Sequence, residues 1–364
     1  MIIDCHAHVF PYLGGASGYD SVASHMTYFQ KEMCTPNPPV RRVRDHAIVE
    51  EPTLWDGKDP SVKGLSQVSF RVGRFGRIEW TKDGVDYYIY WMPPSLQEMT
   101  APPELMLAHM DYIGVDKAVL QNGHPYGRLN DYFAQCIQRY PGRFIGLAQV
   151  DETKADTPEE MADLHRSVYE RGLRGLYYET NAFFLTGYRD HFDDPRFAPF
   201  WDEVRRLGLV VFMDLRAVPL PTAANYLEQI RRLDRWLQRY PEVPTVLPVG
   251  FPFRLFREGA GFRVPREVLN VLRHPNLHVE VCYPIYQGRW WEYPYVEAQP
   301  LIRELYQEFG PTKLLWGSDM PNVERHCTYA QCLDYLRVHC DFIAPKDMEL
   351  ILGGNVARIF GLSQ

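Results

Sequence analysis

Short apolar runs rich in β-branched residues recur along the chain, each followed by a longer stretch whose apolar positions return every three or four residues. The first pattern suits a strand buried on both faces and the second a helix with one apolar stripe, so the alternation predicts βα units around a parallel sheet. Strands are expected at residues 2–5, 117–121, 144–150, 175–179, 209–215, 245–249, 277–282 and 313–317. Helices are expected at 104–113, 129–140, 158–171, 199–207, 222–240, 265–272, 296–309 and 329–340, with a last one near 346–360 closing the structure from outside. Gly114, Gly172, Gly208 and the Gly310-Pro311 pair stand where helices should stop. Eight strands alternating with helices predict an α/β fold of the (β/α)8 TIM barrel type; a doubly wound open sheet is the other arrangement this rhythm allows.

One connection breaks the rhythm. Residues 11–103 separate the first strand from its helix, and they are rich in Pro, Gly and aromatics. Within them, 67–72, 77–80 and 85–90 read as short antiparallel strands, with Lys82-Asp83-Gly84 as a turn. The chain is therefore expected to be a single barrel domain, 1–364, with a capping insertion at 11–103. Such an insertion leaves the carboxyl-terminal face, where barrel enzymes keep their active sites.

Composition narrows the class. The 364 residues are 46% hydrophobic, 23% charged and 14% aromatic, which excludes a disordered, collagenous or coiled-coil chain. A net charge of -7 without a basic run predicts no nucleic-acid or anionic-membrane partner. No apolar stretch is long enough to span a bilayer, and Met1 leads into Ile2, Ile3 and Asp4 without a basic leader. Seven scattered cysteines with no CxxC pair read as reduced thiols, so a cytoplasmic location is expected.

Chemistry concentrates at the two ends of the chain. In His6-Ala7-His8, strand alternation sends both imidazoles to one side, where they can share a metal ion. Asp319, in Trp316-Gly317-Ser318-Asp319 after the eighth strand, lies beside them once the barrel closes, and can ligate the ion or move a proton. His124, after the second strand, is a candidate acid, base or ligand. His326 and Glu324 are candidates for a second ion, and Asp214 for a ligand or a partner that orients His6 or His8. On the later loops, Arg254, Tyr283, Arg289 and Trp290 suit a flat, carboxylated small molecule, or an aromatic interface between subunits.

Asp4-Cys5-His6-Ala7-His8, Trp316-Gly317-Ser318-Asp319 and Gly354-Asn355-Val356-Ala357-Arg358-Ile359-Phe360-Gly361-Leu362 together resemble the amidohydrolase superfamily. The branch is the amidohydrolase-related group that includes aminocarboxymuconate-semialdehyde decarboxylase and other decarboxylases, hydratases and lactonases. The resemblance covers the barrel but not the insertion. It implies a divalent metal, usually zinc or manganese, held by the HxH pair, a histidine after strand five and the aspartate after strand eight, with a further histidine after strand six as acid or base; a donor set of two histidines and two carboxylates suits iron as well. Here His6, His8 and Asp319 match, but strand five ends at Asp214 and strand six has no histidine. Glu179, at the end of strand four, matches a position where other branches place a metal-binding carboxylate. Hydrolysis or decarboxylation of a small carboxylated compound is the expected function. The departures leave two others open: a non-haem iron oxygenase on the same fold, and a barrel subunit without activity that supports a paralogue in a homo- or hetero-oligomer.

Overall fold

A computed structural model of the chain describes residues 1–35, 39–259, 261–282 and 291–362. The eight expected strands form at Ile3–Ala7, Lys117–Leu120, Phe144–Ala148, Gly175–Glu179, Val210–Asp214, Thr245–Leu247, Leu277–Cys282 and Leu314–Trp316. They pair in chain order, each parallel to the next. First and last meet just beyond their ends, where His8 N–H donates to Met320 O and Asp319 N–H to His6 O, both at 2.8 Å. The sheet is therefore a barrel and not a doubly wound sheet.

The inward and outward positions follow the strand period of two. In Val210–Asp214, Val210 and Phe212 join an inner cluster with Ile3, Cys5, Tyr177 and Leu315, while Val211 and Met213 pack outward against the helices. Helix Ala223–Arg239 answers with a stripe of Tyr226, Ile230, Leu233 and Leu237, and Thr222 caps its start by accepting Asn225 N–H at 3.2 Å.

The last segment differs from expectation. It divides into Pro345–Glu349, a π-helical turn Leu350–Gly354 and Asn355–Ile359. Val356, Ala357 and Phe360 enter the inner cluster, so this segment plugs the amino-terminal end of the barrel and does not simply lie against its outside. Gly353 permits the close approach, because a Cβ there would lie 2.5 Å from Met1 O.

The insertion leaves and returns at one point, where Phe10 and Ala101 pair. It holds helix Val22–Met33 and a five-stranded antiparallel sheet in the order Ile48–Val49, Val40–Arg42, Val85–Tyr90, Arg77–Lys82, Ser69–Val72. The expected turn joins Arg77–Lys82 to Val85–Tyr90, with Asp83 and Gly84 both at positive φ (51° and 75°), as a two-residue hairpin requires. Lys31, Trp55 and Trp91 of the insertion line the cavity at the barrel mouth. Among the described residues, no helix is long and apolar enough to cross a membrane.

Candidate metal centre and active site

Asp4 organises the mouth. Its buried carboxylate accepts His6 N–H at 3.0 Å, Ser318 N–H at 2.9 Å, Ser318 Oγ–H at 2.5 Å and Tyr329 O–H at 2.9 Å. One side chain thereby ties the end of the first strand to the turn after the eighth. Asp319 follows in that turn at a φ of 60°, a region that Asp tolerates better than most residues. The result is a cluster of three buried side chains, His6, His8 and Asp319, whose ligand atoms lie within 4.8 Å of one another.

The donor atoms face inward. His6 Nε2 is 3.1 Å from His8 Nε2, and Asp319 Oδ1 is 2.8 Å from the latter and 3.7 Å from the former. The opposite ring nitrogens are already committed: His6 Nδ1–H donates to Glu280 Oε2 at 2.9 Å and His8 Nδ1–H to Gln121 O at 2.8 Å. In neutral imidazoles this leaves a lone pair on each Nε2, pointed at the other and at a carboxylate oxygen, and such a convergence needs a cation. The separations suit neighbouring ligands around one ion with bonds of about 2.0–2.2 Å. The electrostatics call for positive charge at the same point, whether a proton on His6 or a metal ion. Burial opposes charge on His6, but Glu280, Asp319 and Asp4 outweigh it and lift the imidazole to about 9. Burial and the charge on His6 lower His8. Burial also works against the Asp319 carboxylate, yet His8, His6 and Asn322 hold it below the usual range.

Sequence comparison decides the family. The amidohydrolase model matches residues 3–362. The chain belongs to the amidohydrolase family. Among characterised members, the 2-amino-3-carboxymuconate-6-semialdehyde decarboxylase of Dictyostelium discoideum is 25% identical over 254 residues, covering 64% of this chain and 66% of the decarboxylase. The chain thus spans just under two thirds of that relative. Two solved structures share the fold. One is the probable 2-pyrone-4,6-dicarboxylic acid hydrolase of Acinetobacter baumannii with citric acid bound (TM-score 0.57, 21% identity, 73% of this chain and 91% of that one). The other is a dihydroxybenzoic acid decarboxylase from Polaromonas sp. JS666 with bound manganese and 2-nitroresorcinol (TM-score 0.52, 17% identity, 73% and 88%).

The remaining expected residues of this amidohydrolase stand elsewhere. Glu179 lines the same cavity but lies outside the three-residue cluster. His124 is buried behind the wall that Gly123 and Pro125 form; its Nε2–H donates to Glu152 at 2.6 Å, Nδ1 shares a hydrogen bond with the Tyr19 hydroxyl, and Tyr28 stacks on the ring at 4.2 Å. Both nitrogens are engaged in this buried network, and His124 is not among the residues that line the cavity. Glu324 pairs with His109 at 3.5 Å and accepts a bond from Ser95 at 3.4 Å. Neither it nor His326 joins a group of three or more possible metal ligands among the described residues. Asp214 binds Tyr177 and Arg216 rather than either histidine. Arg254 lines the cavity. Tyr283, Arg289 and Trp290 lie outside the described residues.

The histidine-orienting carboxylate is Glu280, which sequence reading missed. It accepts hydrogen bonds from His6 Nδ1–H, from Val249 N–H at 2.8 Å and from Gln121 Nε2–H at 3.1 Å. Val249 ends the sixth strand's turn at a φ of 70°, a costly conformation for a β-branched residue, and the amide it thereby aims meets this carboxylate. The signal was present: in Leu277-His278-Val279-Glu280-Val281 apolar and polar residues alternate, which sends Glu280 to the opposite side from Leu277, Val279 and Val281, and it is buried there.

Proposed function

We propose that this amidohydrolase is a metal-dependent decarboxylase of a small, flat, carboxylated compound. The observation that carries this reading is the pair of facing Nε2 atoms, 3.1 Å apart beside Asp319, with both Nδ1 atoms spent as donors. His6, His8 and Asp319 would hold the ion, and two imidazoles with one carboxylate suit zinc, manganese or iron. A divalent cation there supplies Lewis acidity, drawing electron density from a bound carboxylate or carbonyl.

The chain's own residues supply the rest. The cavity is about 370 Å³, room for one small molecule. Trp91, Tyr126, Phe251 and Leu255 give it flat, apolar walls, and Arg254 and Arg325 bring guanidinium groups to the same space. Arginine matches a carboxylate with two parallel hydrogen bonds, so these side chains favour an acidic, planar ligand. Tyr126 stacks on His8 at 4.2 Å and holds that ring in place. The decarboxylases among the relatives support the same reaction. Hydrolysis is a second reading, favoured by Asp319, an ionised carboxylate at the donor cluster that can take a proton from an attacking water.

The test is metal analysis of the purified protein together with CO2 release from a panel of aromatic and heteroaromatic carboxylic acids, with lactones assayed in parallel. The expected result is about one divalent ion per chain and oxygen-independent CO2 release, both lost on His6→Ala. Full turnover by metal-free protein would overturn the reading. Lactone opening without CO2 release would replace it with hydrolysis, and oxygen consumption would replace it with oxygenase chemistry.

A further inference from the structure

Glu179 and Asp214 end neighbouring barrel strands and are paired in register. Strands lie about 4.8 Å apart and register partners leave a sheet on the same face, so the two carboxyl groups are neighbours. Both are buried and both line the cavity. Their surroundings differ. Asp214 Oδ2 accepts Tyr177 O–H at 2.9 Å and Arg216 Nε–H at 2.8 Å, the donors a carboxylate needs. Glu179 accepts, among the described residues, one hydrogen bond, from His124 N–H at 3.1 Å, while its own amide is fixed by Glu152 Oε1 at 2.9 Å. Two carboxyl groups this close in a buried wall do not both ionise freely, and the one with fewer donors keeps the proton.

We propose that Glu179 is the acid–base residue of this active site, holding a proton beside the Asp214 carboxylate and passing it to the substrate, the role left vacant by the histidine missing after strand six. The assignment rests on the decarboxylation reading. Glu179 protonates the carbon that bears the carboxylate; the bond to the carboxylate then breaks, its electron pair restores the π system, and CO2 leaves. The Glu179 carboxylate takes a proton back from water, and the hydroxide left behind combines with the released CO2 as bicarbonate, so the cycle needs no other reactant.

The charged neighbours are consistent with this. Burial lifts Glu179 to about 7; His124 and Arg216 pull it down, while Asp214 and Glu32 of the capping helix push it up. Glu152, from the turn after the third strand, is occupied by His124. Burial keeps the surrounding phenols of Tyr19, Tyr28, Tyr177 and Tyr188 protonated.

The experiment uses protein loaded with zinc or manganese, as wild type, Glu179→Gln and Asp214→Asn. Difference infrared spectroscopy across pH should show a protonated carboxylic acid in the wild type that titrates near neutrality and vanishes in Glu179→Gln. In Asp214→Asn its midpoint should fall, because a negative neighbour is gone. Metal content should be unchanged in Glu179→Gln, with CO2 release down roughly 10²- to 10⁴-fold. Loss of metal in Glu179→Gln, an infrared band that survives that substitution, or an unmoved midpoint in Asp214→Asn would each overturn the assignment. A wild type with neither metal nor CO2 release overturns the decarboxylation reading itself; metal and CO2 release without the band overturn the Glu179 assignment alone.

Discussion

At the scale of single residues, Glu280 sets the basicity and orientation of His6 through one hydrogen bond of 2.9 Å. Replacing a carboxylate partner of a ligating imidazole characteristically weakens metal binding by roughly 10- to 100-fold. Glu280→Gln should therefore lose metal to a competing chelator at a correspondingly lower chelator concentration. An unchanged competition curve would show that His6 needs no such partner. Gly317 acts by size: a Cβ there would stand 2.7 Å from His6 Cβ and 3.2 Å from the Glu280 carboxyl carbon. Crowding of this kind costs about 1–3 kcal/mol. Gly317→Ala should accordingly lower both the melting temperature and metal content; wild-type values of both would mean that the turn gives way. His6, His8 and Asp319 were legible in the sequence because a strand's period of two and barrel closure place them together. Glu280, Gln121 and Asp4 were not, since each acts across a strand pairing whose register only the folded sheet defines.

At the scale of elements, all eight barrel strands were readable, because strands buried on both faces are nearly uninterrupted apolar runs. Their ends shifted by up to two residues at the mouth, where side chains are chosen for chemistry rather than burial. Helix Val22–Met33 was not expected, since it buries His25, Gln30 and Lys31 alongside Tyr28 and Phe29 and carries no clean apolar stripe. The closing segment was expected as a helix, but its entry into the barrel depends on a contact made at long range. Arg358 Nη2–H donates to His278 Nε2 at 3.2 Å and to Thr312 O at 3.1 Å. An imidazole that accepts from a guanidinium must be neutral, and burial together with Arg358 and Lys313 pushes His278 down to about 4. In the unfolded chain it titrates near 6.5. Below pH 6.5 the unfolded state thus gains a proton that the native state refuses. Stability from this residue is full above about pH 6.5 and is lost as pH falls toward 4, by up to about 3 kcal/mol. Urea unfolding of chelator-treated protein at several pH values should show that loss, and His278→Gln should flatten the slope by one proton. Parallel slopes in the two proteins would place the acid sensitivity elsewhere.

At the scale of the whole molecule, the barrel is shut by few bonds. Between the first and eighth strands run the His8–Met320 and Asp319–His6 backbone hydrogen bonds and the Asp4 network, and the His6, His8 and Asp319 side chains straddle the same seam. The insertion borders that seam: its Trp91 and Lys31 line the same cavity as His6, His8 and Asp319, and the Phe10–Ala101 pairing anchors both of its ends beside the first strand. Part of the 14% aromatic content serves the insertion itself, where Trp80, Phe29 and Tyr88 are buried. An ion bound by His6 and His8 on one side and Asp319 on the other would cross-link the two ends of the sheet, and it can bind only when they are together. Ligand binding that requires the folded state stabilises it by mass action, about 2.7 kcal/mol when free ligand is 100 times its dissociation constant. For a chain of this size that is a rise of a few degrees in melting temperature. Titrating chelator-treated protein with zinc or manganese should raise the melting temperature with the logarithm of metal concentration. The His6→Ala, His8→Ala double variant should show a flat response, as should Asp319→Ala, which removes the ligand from the opposite side of the seam. A thermal shift of wild-type size in the double variant would locate metal binding elsewhere on the chain. A shift lost in the histidine variant but kept in Asp319→Ala would confine the ion to the first strand and leave the barrel closed by hydrogen bonds alone.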